Sequence, residues 1–171
     1  DEECYNLGRI AFYLQYRSYL LNLKLSLLNR TFSLASFLLF YGFSISVHSQ
    51  EIAEAPAYGT GNLENGFIPD PVIISMRVGG DLAPSRADGD CEGYLETSAP
   101  SYDLNYESNS TMPLGIFVDS NIDTTLLVNT PDGEWHCNDD SIYLNDSNPG
   151  IFFESPQSGL YNIWVGSYSE R

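Results

Sequence analysis

Lysine is nearly absent from this chain. Of its seven basic residues only Lys24 is a lysine, and past residue 30 the cations are Arg77, Arg86 and Arg171 alone. Against them stand all but three of the 23 carboxylates, and the formal net charge of the whole chain is −16. A surface this acidic repels phosphate, so nucleic acid and anionic membrane surfaces are excluded as partners, whereas divalent cations are favoured. Histidine is scarce as well: His48 and His136 are the only two. A hydrolytic triad needs a base beside its nucleophile, and past residue 50 only His136 is available, between Trp135 and Cys137. No G-x-S-x-G is present; the nearest approximations are Ser158 before Gly159 and Ser167 after Gly166. Zinc is disfavoured by the single histidine and the lack of Cys-x-x-Cys. A glycosidase-type carboxylate pair has no diagnostic value in a chain with so many acids. The chain is therefore not expected to be an enzyme, and a secreted hydrolase ranks third among the readings.

One long apolar run is present, at residues 31–47 (TFSLASFLLFYGFSISV), behind Lys24 and Arg30 and ahead of Val47-His48-Ser49. Basic flank, apolar centre and small residues at the right offsets define a secretory signal peptide, with cleavage between Ser49 and Gln50. The rival is a membrane anchor, since the run approaches the roughly 18 residues that span a bilayer. Ser33, Ser36, Ser44 and Ser46 dilute it and favour the signal peptide. Residues 1 to about 20 precede the leader with no methionine among them, and are read as read-through with no role for Cys4, Tyr5, Tyr13 or Tyr16. Two regions follow: 1–49 as read-through plus leader, and 50–171 as the folded domain. The expected location is outside the cytoplasm, secreted or at the cell surface or in a periplasm, with no membrane contact after cleavage. In such a compartment Cys91 and Cys137 are expected to form a disulfide, the alternative being two buried thiols.

Past residue 50 no segment has a helical period. Residues 71–78 alternate, with Val72, Ile74, Met76 and Val78 on one face and Ser75 and Arg77 on the other, until Gly79-Gly80. Tyr102, Leu104 and Tyr106 alternate likewise, as do Leu114, Ile116 and Val118; Leu126 and Val128 follow, then the turn at Pro131-Asp132-Gly133. Trp135 shares a face with Cys137, which brings the expected disulfide inward beside an aromatic, and residues 151–154 and 160–168 complete a set of about seven strands. Short alternating strands bury one face each by pairing two sheets, so an all-β antiparallel β-sandwich of jelly-roll type is expected.

The stretch from Asp119 to Tyr168 also resembles a family. Asp123-Thr124 before Leu126 and Val128, then Pro131-Asp132-Gly133, Asn138-Asp139-Asp140, and Ser158-Gly159 ahead of Tyr161, Ile163 and Val165-Gly166 are similar to the bacterial pre-peptidase C-terminal domain. That resemblance implies a small β-sandwich attached to secreted peptidases and other exported proteins, in some cases binding calcium at strand-connecting loops. The family usually has one more strand after the position of Tyr168, so a last strand is expected to be missing.

The residues that could carry chemistry are carboxylates and amides at turns. Asp119, Asn121 and Asp123 have the D-x-N-x-D spacing of a half EF-hand loop, but Thr124 replaces its glycine and Thr130 its bidentate Glu. Asn138, Asp139 and Asp140 form a second cluster, with Asp132 at the turn between. Two readings stand: a Ca2+ site, or solvated turns that cap backbone amides. Trp164 is out of phase with Tyr161, Ile163 and Val165 and is a candidate outer-face platform for a sugar ring or a protein. Asn109 and Asn145 lie in glycosylation sequons. The leading expectation is a non-catalytic, calcium-stabilised module that binds an extracellular protein or polysaccharide, and the alternative is a structural subunit of an extracellular assembly or matrix.

Overall fold

The computed structural model describes residues 7–13, 50–84, 92–109, 112–141 and 147–170. They form ten strands and no helix: β1 (Leu7–Tyr13), β2 (Thr60–Glu64), β3 (Val72–Arg77), β4 (Tyr94–Leu95), β5 (Tyr102–Glu107), β6 (Leu114–Ser120), β7 (Thr124–Asn129), β8 (Trp135–Asn138), β9 (Gly150–Phe153) and β10 (Gly159–Ser167). One sheet has the order β3-β1-β6-β9. The other runs β2-β5-β10-β7-β8, with β4 added to β10 beyond the end of β5. Every pairing is antiparallel except that of β2 with β5. The apolar faces of the two sheets meet in one core. Ile10, Phe12, Leu114, Ile116 and Val118 of the first pack with Leu104, Leu126, Val128, Tyr161, Ile163 and Val165 of the second. The rings of Phe12 and Tyr102 bridge the sheets at 5.9 Å.

Each strand expected from alternation is present, and the phase is right except in β8, where Trp135 and Cys137, expected inward, pack on the outer face of the larger sheet. In β3 Ile74 and Met76 turn inward while Ser75 and Arg77 are exposed. The Pro-Asp-Gly turn closes the β7–β8 hairpin: Gly133 N–H donates to the Thr130 carbonyl (2.8 Å) and Thr130 N–H to that of Glu134 (2.9 Å). Gly133 takes φ +84°, the left-handed residue that a three-residue hairpin loop needs.

Three strands were not expected. β2 (TGNLE) is short and polar, and β4 is two residues long and exists by its pairing with β10. The third is β1. The sequence reading gives residues 7–13 no role and bounds the sandwich at 50–171, whereas the structure inserts this segment between β3 and β6. The cause is ordinary strand alternation: Gly8, Ile10 and Phe12 point to the core, and Arg9, Ala11 and Tyr13 point away. The apolar run 31–47 lies outside the described residues.

A second, smaller cluster covers the outer face of the larger sheet. Leu95, Leu127 and Trp164 are buried there, with Leu82, Trp135 and Cys137 packed around them. Leu82 and Leu95 exchange backbone hydrogen bonds (3.1 and 2.7 Å), which holds the segment entering β4 down on β10.

Candidate functional site

The acidic turns sort to the two ends of the larger sheet. β7 pairs antiparallel with β8 through Leu126–Asn138 and with β10 through Thr124–Ser167. Asp123 before β7, Asp139 and Asp140 after β8, and Tyr168 after β10 therefore share one end. Backbone geometry ties them: Tyr168 N–H donates to the Asp123 carbonyl at 3.1 Å, and the Tyr168 hydroxyl donates to Glu92 Oε2 at 2.7 Å. Partial desolvation first, and then the charges of Asp140 and Asp139, push the Asp123 carboxyl above its ordinary value. The Tyr168 phenol is pushed up as well, first by its hydrogen bond to Glu92 and then by that residue's charge, with smaller contributions from Asp139 and Asp123. Glu92, Asp123, Asp139, Asp140 and Tyr168 thus form one electrostatic unit.

The other expected ligands divide between capping and other surfaces. Asn138 spends its side chain on the backbone: its amide donates to the Asp140 carbonyl (3.0 Å) and its Oδ1 accepts Gly150 N–H (2.8 Å). Asp139 Oδ1 accepts the N–H of Asp140 (3.1 Å). Asp119 points to the outer face of the smaller sheet, where its carboxylate lies 3.8 Å from Arg9 Nε with both side chains exposed. Such a pair contributes about 0–1 kcal/mol. Asn121 is exposed in the β6–β7 turn. Asp132 is at the opposite end, separated from Asp123 by the six residues of β7, about 20 Å. There it accepts hydrogen bonds from Thr130 and from Gln157 Nε2 (2.6 Å), and the first of these holds its carboxyl below the usual range. The D-x-N-x-D run and Asp132 are accordingly not brought to one point. Among the described residues no three His, Cys, Asp or Glu side chains form a group that could hold a metal ion.

Behind the acidic end stands a buried brace that sequence reasoning missed. Asn148 Oδ1 accepts from Thr124 Oγ1 (2.8 Å) and its Nδ2 donates to the Ser120 carbonyl (2.9 Å). Its own carbonyl accepts Ser141 N–H (3.1 Å), so the β6–β7 turn and the β8–β9 connection are fixed to each other. Glu92 was missed too, since its partner is 76 positions away.

Trp164 requires a correction. It does lie on the outer face, as its phase implied, but only 1% of it is accessible, so it is not a platform. Its indole N–H donates to the Ser98 carbonyl at 3.0 Å and its ring lies 5.3 Å from that of Trp135. Trp135 and Cys137 share this face, outside the core between the sheets. Cys91, the partner expected for Cys137, lies outside the described residues.

The residues weighed for catalysis have other occupations. Ser158 Oγ accepts Ser108 N–H (2.9 Å) and donates to the Ser108 carbonyl (3.3 Å), while Ser167 Oγ donates to the Ser169 carbonyl (2.6 Å). The His136 ring stands edge-on to Phe153 at 5.2 Å and lies 3.8 Å from the Glu134 carboxylate. Compared with known protein families, with curated proteins and with solved structures, the chain matches none.

Proposed function

We propose that this chain is a non-catalytic, exported module, a β-sandwich of the pre-peptidase C-terminal type, that binds an extracellular protein or polysaccharide with calcium steadying its acidic end. The observation that carries the reading is the placement of Asp123 at the same end of the larger sheet as Asp139 and Asp140, where partial desolvation first and then their charges raise the Asp123 carboxyl. Like charges brought together only by folding cost stability, and a cation that binds the folded form offsets that cost. Calcium takes six to eight oxygens with tolerant geometry; Asp123, Asp139, Asp140 and Glu92, which Tyr168 holds at the same end, do not stand as a ready-made ligand group, so the ion would have to draw them together.

The occupied hydroxyls of Ser158 and Ser167 support a non-catalytic role. A jelly-roll winding is supported by the connections β5–β6, β6–β7, β8–β9 and β9–β10, each of which crosses from one sheet to the other. Pairing of Cys91 with Cys137, and with it an oxidising compartment, is supported by Gly93. A Cβ there would meet Thr125 Cγ2 at 2.6 Å, and Thr125 Oγ1 is 4.0 Å from Cys137 Sγ, so the chain two residues beyond Cys91 passes beside Cys137.

Melting in calcium against melting in chelator tests the site. At a free concentration of about 100 Kd the gain is about 2.7 kcal/mol, a rise of about 5–10 °C, with magnesium doing less because it gives up its water reluctantly. Asp123→Asn is expected to raise the melting temperature in chelator, by removing one of the repelling charges, and to shrink the calcium shift. Equal melting in calcium and chelator, or a full shift in Asp123→Asn, overturns the assignment.

A further inference from the structure

The parallel pair of the sandwich, β2 with β5, sets like beside like. The two strands run in register through Thr60–Asp103, Asn62–Asn105 and Glu64–Glu107, and on each the amide and the carboxylate are exposed on the outer face of the larger sheet. Between the amide row and the carboxylate row lie Leu63, Tyr106 and Gly159, paired with one another across β2, β5 and β10. Leu63 and Tyr106 turn their side chains to the core and Gly159 has none, so what they show outside is backbone. The result is a groove of about 370 Å³ running across the strands, with Asn62 and Asn105 as one wall and Glu64 and Glu107 as the other. Its volume falls among those of small-ligand sites, roughly 300–1,000 Å³. It lies where β10 begins, and the length of that strand, about 25 Å, separates it from Tyr168 and the acidic turns.

The walls are uncommitted. None of the four side chains makes a hydrogen bond or an ion pair among the described residues, whereas the next polar row on the same face, Asp103, Asn162 and Asn129, is buried and hydrogen-bonded. Glu64 and Glu107 are direct cross-strand partners, an arrangement that costs stability for like charges. The described arginines, Arg9 and Arg77, are both on the smaller sheet, so no cation of the described chain relieves the pair, and a ligand that carries one gains there. The amide wall opposite offers donors and acceptors together, which suits hydroxyls. Leu160, the β10 partner of Asn105, is exposed and gives that wall an apolar end. A peptide strand docks on unpaired backbone at a sheet edge, but the floor of this groove has its backbone spent in the β2–β5 and β5–β10 ladders. We propose that the groove binds a short run of a polysaccharide built of amino sugars, with hydroxyls against Asn62 and Asn105 and ammonium groups against Glu64 and Glu107. The assignment rests on the polysaccharide-binding role proposed above and adds to it the place and the charge of the sugar; calcium at the far end has no part in it.

Calorimetric titration of the full chain, in chelator, with a glucosamine hexamer and with its N-acetylated counterpart tests this. The glucosamine hexamer is expected to bind about tenfold more tightly than the acetylated one, with an affinity that falls as salt rises. Glu64→Gln/Glu107→Gln is expected to remove that tenfold advantage without lowering the melting temperature, since it takes away a repulsion. Asn62→Ala/Asn105→Ala is expected to weaken both oligomers about fivefold. Asp81→Asn/Glu154→Gln, which removes as much charge from exposed positions elsewhere, is expected to leave binding unchanged; an equal loss in this control reduces the effect to net charge and overturns the site. Tetralysine that binds more tightly than the hexamer, and is lost in the same Glu variant, makes the groove a basic-peptide site and overturns the sugar. Binding of the acetylated oligomer untouched by both groove variants keeps a polysaccharide-binding module and overturns the groove as its site. Failure of both oligomers to bind overturns the groove as well, and leaves the calcium shift to judge the acidic end on its own.

Discussion

Replacing Trp164 separates a structural pillar from a binding platform. The side chain is 1% accessible and packs with Leu95 and Leu127, while Trp135 stacks beside it and the Ser98 carbonyl accepts its indole N–H. Removing a large aromatic from such a site costs about 3–5 kcal/mol for the lost contacts and the cavity, and the Ser98 carbonyl loses a hydrogen bond worth about 1 kcal/mol. Domains of this size have about 5–15 kcal/mol in total, so Trp164→Ala takes a large share and lowers the melting temperature by about 8–20 °C. Trp164→Phe keeps most of the apolar contact and loses the N–H, and is expected to cost about 1–2 kcal/mol. Urea titrations followed by far-ultraviolet circular dichroism measure both. The expected result is a lower midpoint with an unchanged slope, because the unfolding transition still exposes the same surface. An exposed platform would behave otherwise: Trp164→Ala would stay within about 0.5 kcal/mol of the parent. A change that small would refute the burial of Trp164 and restore it as a candidate for ligand contact.

Two further expectations concern charge and covalent structure. Asp103 is buried beside Asn162, whose Nδ2 donates to Asp103 Oδ1 at 2.8 Å, and desolvation raises its carboxyl above the ordinary value while the Asn162 bond opposes the shift. A raised folded pKa means that its contribution to stability is complete below the unfolded value, about 3.9, and is lost as pH rises through the folded value. Asp103→Asn is therefore expected to stabilise the protein at pH 7, with the gain vanishing near pH 3; denaturant midpoints at the two pH values check this, and a gain that grows in acid would contradict it. For the disulfide, peptide mapping without reductant is expected to yield a linked fragment containing Cys91 and Cys137, and Cys137→Ala is expected to cost about 3–4 kcal/mol given the loop it closes. Recovery of Cys137 linked to Cys4 would refute that pairing.

Period-two alternation alone marked most of the strands past residue 50 as strands and showed which of their residues share a face. A strand's side chains alternate whatever it pairs with, so Ile74 and Met76, or Leu126 and Val128, could be assigned to a buried face without knowing the partner strands. β2 and β4 escaped notice because their strand character comes from their neighbours: Thr60-Gly61-Asn62-Leu63-Glu64 buries little, and Tyr94-Leu95 is a strand only against Gly166 and Ser167. β1 carries the same alternation as the rest, and only its place beside β3 and β6 shows that the pattern belongs to this core. The acids were legible as turn residues, and tertiary structure decided which of them meet. Antiparallel pairing of β7 with β8 and β10 sets Asp123 beside Asp139, Asp140 and Tyr168, and the length of β7 carries Asp132 to the far end. The phase of β10 likewise put Trp164 on the outer face, but whether that face is open or covered depended on Leu82 and Leu95, brought over it by hydrogen bonds no local pattern encodes. Alternation is a property of one strand, whereas adjacency and cover are properties of how strands are ordered in sheets, and that order is set by the energy of the whole packed core.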